Sequence, residues 1–286
     1  MSPRELLLYL RLSPAVSQLK LKQAALLLLK KDLQKWDWHN FLFQELKLSK
    51  IEIESFFSQQ TQLSVQRNLA CSLFVTILDH DYPLRLREIY DPPLVLFYQG
   101  NWQLVSQKYL LGVVGARKST FYAKRAAEFL LLPLFKQRVT TISGLAEGVD
   151  SLAHRLSLRY GCPTIAVIGS GLAKYYPKQN QILQQEIAKT NLVISEYSCD
   201  EAPLKYHFPA RNRIIAGLAE SLLVIEARHH SGSLITANLA LQENRNVLAV
   251  PGPIDSLLSA GTNELIAAGA KPALTAEDIW EEFLKA

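Results

Sequence analysis

Apolar residues recur along this chain in two rhythms, and the rhythm changes near residue 65. Before that point the spacing is helical. Leu21, Ala24, Ala25 and Leu28 keep the 3.6-residue period of a half-buried helix. Ser2-Pro3-Arg4-Glu5 and Ser49-Lys50-Ile51-Glu52 read as capping boxes, the first with proline at the opening helical position. Ser13-Pro14 predicts a further helix start, and Trp36, Trp38, Phe41 and Phe43 are expected to fill a small core. Residues 1–64 therefore read as a small all-helical module for packing or interaction.

From residue 65 to 286 short apolar runs alternate with helical patterns. Strands are predicted at 73–77, 94–98, 109–114, 139–142, 164–168, 192–195, 222–226, 246–250 and 272–275. Most are continuously apolar, as strands buried on both faces of a parallel sheet must be. Helices are predicted near 119–136, 146–160, 178–189, 209–219, 233–243 and 261–269. The pattern is that of an α/β domain with a doubly wound, mainly parallel sheet.

Composition excludes more than it selects. With 49% apolar and 20% charged residues the chain is an ordinary globular one. No run approaches the ~18 apolar residues of a membrane span, and no apolar core of a secretory signal is expected near Met1. Cys71, Cys162 and Cys199 are odd in number and far apart, which fits neither a disulfide framework nor a zinc site and suits a reducing, cytoplasmic setting. No metal or cofactor is expected.

The net charge of +5 is mild, but its distribution is uneven. No acid lies between Asp91 and Glu128, between Asp150 and Glu186, or between Glu201 and Glu220. Four basic or glycine-rich segments fall in or beside these stretches. Three follow strands: Gly115-Ala116-Arg117-Lys118-Ser119-Thr120, Ser143 through Asp150, and Gly169-Ser170-Gly171-Leu172-Ala173-Lys174; the fourth, Phe208 through Arg213, opens a helix. In a doubly wound sheet such loops converge at the carboxyl edge, where helix N-termini favour anions. An anion site there is expected, with His154 as a packing residue. Arg211 and Arg213 stand two apart and must point different ways; Arg213 is the one expected to be structural.

The dinucleotide fingerprint is incomplete, because Lys174 stands where the third glycine after Gly169 and Gly171 should be. A Walker A loop and a Gly-x-Ser-x-Gly elbow are absent, and Ser231-Gly232-Ser233 lacks the surroundings of a nucleophile. What the chain does carry, in order, is Asp81-Tyr82-Pro83, Asp91-Pro92-Pro93, Gly115-Ala116-Arg117, Ser143 through His154, Arg211-Asn212-Arg213-Ile214-Ile215-Ala216-Gly217-Leu218, Ser231 through Thr236, Val250-Pro251-Gly252 and Gly261-Thr262-Asn263. This series resembles the DNA-processing protein A family (DprA, also called Smf).

The resemblance implies an extended Rossmann-like fold with a sterile-alpha-motif-like N-terminal domain. It implies a cytoplasmic protein, not an enzyme, that binds single-stranded DNA without sequence preference, loads the RecA recombinase onto it during natural transformation, and forms a homodimer. The DNA pocket of the family maps onto Arg117, Lys174, Lys205 and Arg211, with Gly115, Ser143, Gly144, Gly169 and Gly171 in the same loops. Arg117, Lys174 and Arg211 are expected to expose their charged heads, and one or two of Tyr175, Tyr176, Tyr206, His207 and Phe208 to offer rings at the surface. Leu265 and Ile266 are the expected dimer contacts. The winged-helix domain of some relatives is not expected after the last matched motif. Two other classes stay open: a Rossmann-type nucleotide hydrolase, related to the phosphoribohydrolases of nucleoside monophosphates and using Glu196 or Glu226, and a protein scaffold with no affinity for nucleic acid.

Overall fold

The computed structural model describes residues 1–31 and 36–285. The N-terminal helices are α1 (Pro3–Leu12), α2 (Gln18–Leu29), α3 (Trp38–Asn40), α4 (Lys50–Phe57) and α5 (Gln59–Cys71). There follow β1 (Leu73–Thr76), α6 (Leu84–Arg87), β2 (Val95–Gly100), β3 (Leu110–Val114), α7 (Phe121–Phe135), β4 (Thr140–Ser143), α8 (Val149–Arg159) and β5 (Thr164–Ile168). The chain continues through α9 (Gln181–Thr190), β6 (Leu192–Ser195), α10 (His207–Leu218), β7 (Ser221–Val224), α11 (Gly232–Gln242), β8 (Asn246–Ala249), α12 (Ala260–Ala267), β9 (Lys271–Pro272) and α13 (Ala276–Leu284).

The described strands form one sheet of order β1-β2-β6-β5-β4-β3-β7-β8-β9. From β6 to β9 every pairing is parallel, while β2 runs antiparallel to both β6 and β1. The winding reverses between β3 and β7, so the sheet is doubly wound and Rossmann-like, with its switch point at their carboxyl ends. Alternation along the central strands separates two cores. Leu111, Val113, Leu223 and Leu248 face α7, α8 and α13, whereas Leu110, Val114, Leu222 and Val247 share a core with α10 and α11. No described helix is long and apolar enough to cross a membrane.

The N-terminal helices share the second of these cores through Leu6, Leu7, Leu8 and Leu10. Polar ties reinforce the contact. Arg4 donates to the Phe74 carbonyl (2.9 Å), Arg11 to that of Glu196 (3.0 Å), and the Cys199 amide donates to Asn68 Oδ1 (2.8 Å). Helix α5 continues to Cys71, so the boundary expected after residue 64 falls inside a helix.

Both capping boxes form as expected. Ser13-Pro14 does not start a helix: the Ser13 hydroxyl donates to the Tyr9 carbonyl and closes α1, and Ser17 caps α2 instead. Of the expected aromatic core, Phe41 is buried, but Phe43 is 44% exposed because the chain passes through a π-helical turn at Phe41–Glu45. Strand β9 is shorter than expected, and α13 was not anticipated, although Thr275 and Asp278 close a capping box there. Leu265 was expected at a dimer surface; it is 8% exposed because α12 turns it under the sheet beside β8. Ile266 is half-buried against the same core.

Beneath β4 and β5 lies a polar knot of buried side chains. Thr141 Oγ1 is 2.8 Å from both Ser157 Oγ and Thr164 Oγ1, and His154 Nδ1 is 2.7 Å from Thr164 Oγ1. His154 is wholly buried and its Nε2 has no partner. Burial, helped by the nearby Arg211 charge, pulls its pKa down to about 3 from 6.5. It is the packing histidine expected. The native state therefore refuses a proton that the unfolded chain accepts below pH 6.5. Stability should be full above that value and fall as the pH drops toward 3, by up to about 1.4 kcal/mol per pH unit. Urea unfolding across this range should show the loss, and His154→Gln should remove that part of the slope.

Candidate nucleic-acid interface

Two strand-end loops and two helix N-termini meet at the switch point, with Gly169 after β5 beside them. Loop 115–120 leaves β3, loop 144–148 leaves β4, and α10 and α11 begin opposite them. The Val149 amide donates to the Ala116 carbonyl (3.2 Å) and holds the two loops together. Gly148 makes this possible: its φ is +77°, and a Cβ there would lie 2.1 Å from the Ala116 carbonyl oxygen. Thr120 caps α7 and also binds the buried Glu226 at the end of β7, with its amide donating at 3.0 Å.

The result is a cleft of about 540 Å³, lined among others by Gly115, Arg117, Lys205, Phe208, Arg211 and Ser231. A recess of about 90 Å³ opens beside it, where Gly144, Glu147 and Gly169 join Arg117, Tyr176 and Phe208. Arg117 and Lys205 are exposed. The Arg117 guanidinium stands 5.7 Å from the centre of the Phe208 ring, and Phe208 lies 5.3 Å from Tyr176. Tyr176 and Tyr206 are 46% and 67% exposed, whereas His207 is buried with its ring 3.8 Å from that of Tyr197.

Arg211 lines the cleft but does not expose its head. It is 5% exposed, and Nη1 donates to the carbonyls of Gly144 (2.7 Å) and Val167. The expectation of a surface cation fails because Arg211 stands three, four and seven residues before Ile214, Ile215 and Leu218 and shares their buried face of α10. Asp150 is buried nearby and accepts from the Gly144 amide at 3.1 Å. A Cβ on Gly144 would sit 2.5 Å from Arg211 Nη2 and 2.6 Å from Asp150 Oδ2, so glycine is required between the two charges. Burial pushes the Asp150 carboxyl up and draws Arg211 down to about 10, which leaves the guanidinium charged at neutral pH. Arg213 is structural, as expected: it holds Glu196 through two 2.8 Å contacts and donates from Nε to the Asp91 carbonyl, also at 2.8 Å.

Three expected site residues lie elsewhere. Ser143 is buried and donates its hydroxyl to the Val113 carbonyl at 2.6 Å, so it serves the sheet. Gly171 is buried with its amide donating to the Glu201 carbonyl (2.8 Å). Lys174 points away from the cleft toward Asp200, at 3.9 Å. Conversely, Asn212 and the segment Ser231-Gly232-Ser233 line the cleft, and sequence reasoning had set the latter aside as a failed nucleophile motif. The available signal was a serine–glycine pair opening a helix after a buried strand. Ser231 makes no side-chain capping bond to α11; its carbonyl accepts from the Leu234 and Ile235 amides, and those of Gly232 and Ser233 are left for another acceptor. Among the described residues no cluster of three or more His, Cys, Asp or Glu suits a metal.

Residues 73–284 match the family model described as DNA recombination-mediator protein A. The chain belongs to that family. The DNA processing protein DprA of Streptococcus pneumoniae is 47% identical over 208 residues, covering 73% of this chain and 73% of the relative. That of Bacillus subtilis is 39% identical over 235 residues, covering 82% and 79%. In three dimensions the chain resembles the X-ray structure of S. pneumoniae DprA with a TM-score of 0.88 and 36% identity, over 99% of this chain and 98% of the other. It also resembles Helicobacter pylori DprA, described for its single-stranded DNA binding mode, with a TM-score of 0.67 and 30% identity over 75% and 97%. The S. pneumoniae likeness takes in the N-terminal helices as well as the sheet.

The two arginines of the cleft should respond differently to removal. Arg211→Ala leaves two buried carbonyls without their donor and Asp150 without its nearest cation, and should cost about 3–5 kcal/mol. Arg117→Ala removes an exposed head and should stay within ~0.5 kcal/mol. Denaturant unfolding of both variants gives the comparison; similar losses would contradict the geometry described.

Proposed function

We propose that this protein binds single-stranded DNA in the switch-point cleft, without sequence preference, and promotes RecA loading on the bound strand in transformation and recombination. The observation that carries the reading is the cleft wall itself. Exposed Arg117 lies over Phe208, beside Tyr176, and faces the uncapped N-terminus of α11. Cations and first-turn amides suit phosphates, and the rings suit unpaired bases. Neither kind of contact reads base edges, hence the lack of sequence choice. The single-stranded DNA binding described for the H. pylori relative supports the same ligand class. RecA loading rests on the family's description as a recombination mediator.

The hydrolase alternative is weaker, and we infer a non-enzymatic role. Glu196 is held by Arg213 and Glu226 by Thr120, so both acids it would need are engaged in structural bonds. A homodimer remains part of the proposal, but with Ile266 rather than Leu265 as its contact on α12, next to the edge strand β9.

Fluorescence anisotropy with single-stranded and duplex DNA of one sequence tests the ligand. Single strands should bind more tightly, with a log–log salt slope of about −0.7 per phosphate contacted, and Arg117→Ala should make that slope shallower. Equal affinity for duplex, or no salt response, would refute the reading. Sedimentation tests assembly. Ile266→Arg should yield a folded monomer from a dimeric wild type, whereas Leu265→Arg should unfold the chain; a monomeric wild type at micromolar concentration would dispose of the dimer.

A further inference from the structure

The cleft accounts for Arg117 but not for the residues that follow it. Residues 117–125 hold Arg117, Lys118, Lys124 and Arg125, and no acid occurs between Asp91 and Glu128. In their midst Phe121 is 72% exposed, an unusual position for a large apolar ring. Among the described residues none of these four cations has a carboxylate within 4.0 Å, whereas Arg4, Arg11, Lys22, Lys174 and Arg213 are all so paired.

Helix geometry joins the group into one surface. Side chains three and four residues apart share a helix face, so Lys124 and Arg125 flank the Phe121 ring, and Lys118 precedes it from the loop. The backbone beneath is fixed. Thr120 caps α7 while bound to Glu226, and Tyr122 Oη donates to the Pro251 carbonyl at 2.5 Å. An exposed ring on a rigid turn, ringed by unpaired cations and reached directly from Arg117 in the cleft, has the chemistry of a stacking platform for nucleic acid.

We propose that a DNA strand leaving the cleft at Arg117 continues across the outer face of α7, where Phe121 stacks a base and Lys118 and Lys124 neutralise phosphates. The inference rests on the single-stranded DNA reading of the cleft and adds a second binding segment outside it. A duplex would offer this surface its phosphates but not an unstacked base. A protein partner would be expected to bring acids to so unbalanced a patch, and is the competing outcome of the test.

The experiment measures affinity for two oligothymidylates, one of about 6 nucleotides to fill the cleft and one of about 20 to reach beyond it. Phe121→Ala should weaken the long strand roughly 5- to 30-fold and leave the short one unchanged, with Phe121→Trp restoring binding. Lys118→Glu combined with Lys124→Glu should weaken the long strand alone and make its salt slope shallower by about 0.7 for each phosphate no longer neutralised. Thermal unfolding checks that the variants fold, and the lysine pair carries the test if Phe121→Ala does not. Long-strand binding unchanged in the folded variants would give this surface to a protein partner and overturn the proposal, as would equal losses for both lengths. A wild type that binds neither length fails the cleft reading itself, and the inference falls with it.

Discussion

From a buried position Arg211 donates to the carbonyls of Gly144 and Val167, and so fastens α10 to the ends of two neighbouring strands. Each of those carbonyls, left buried without a partner, would cost about 1–3 kcal/mol. A guanidinium suits this place because its donors radiate in one plane and it stays charged when desolvated. The position of α10 then sets the cleft: Phe208 stands one turn earlier on the same helix, and Lys205 just before it. The charge also reaches inward, where it adds to burial in keeping His154 neutral.

An anion entering the cleft meets two kinds of positive potential. Arg117 and Lys205 are exposed and can reach a phosphate directly. Arg211 lies deeper and acts as a fixed charge under the floor, partly offset by Asp150. The division of labour separates affinity from architecture. Rim cations are free to rearrange around a flexible strand, while the floor cation cannot move without releasing the strand ends it holds.

The central parallel strands and their helices were legible in the sequence because each is a continuous apolar run or a clear 3.6-residue repeat. Strands 164–168 and 192–195 were located to the residue. Gly115, Arg117, Gly144, Gly169, Lys205 and Arg211 do meet in one place, as loops at one sheet edge should. What the pattern lacked was side-chain direction. Gly171 and Lys174 follow β5 as the loop of a site residue would, yet their segment folds back onto residues 198–201. Arg211 is spaced with Ile214, Ile215 and Leu218 on the buried face of α10, so the helical period did signal its burial, against the usual preference of a guanidinium for the surface. The signal for α13 was present, since a capping box precedes Ala276, Ile279 and Phe283 at helical spacing with acids between them, but at nine residues the pattern spans only about two and a half turns.

The strand order has a consequence for how the chain is made. Leu111 of β3 pairs with Ser221 of β7, and Phe97 of β2 pairs with Ser195 of β6, so the middle of the sheet and its antiparallel wing both wait for segments far along the sequence. Such long-range pairings slow folding, because the intervening loop must close before any contact rewards it. On the ribosome, β1 through β5 emerge as two separate pieces, β1-β2 and β5-β4-β3, which join only when β6 arrives, and the edge at β3 stays open until β7 follows. A nascent chain in that state exposes a strand apolar along its whole length, and open apolar edges of this kind are prone to pair with other chains until they are covered.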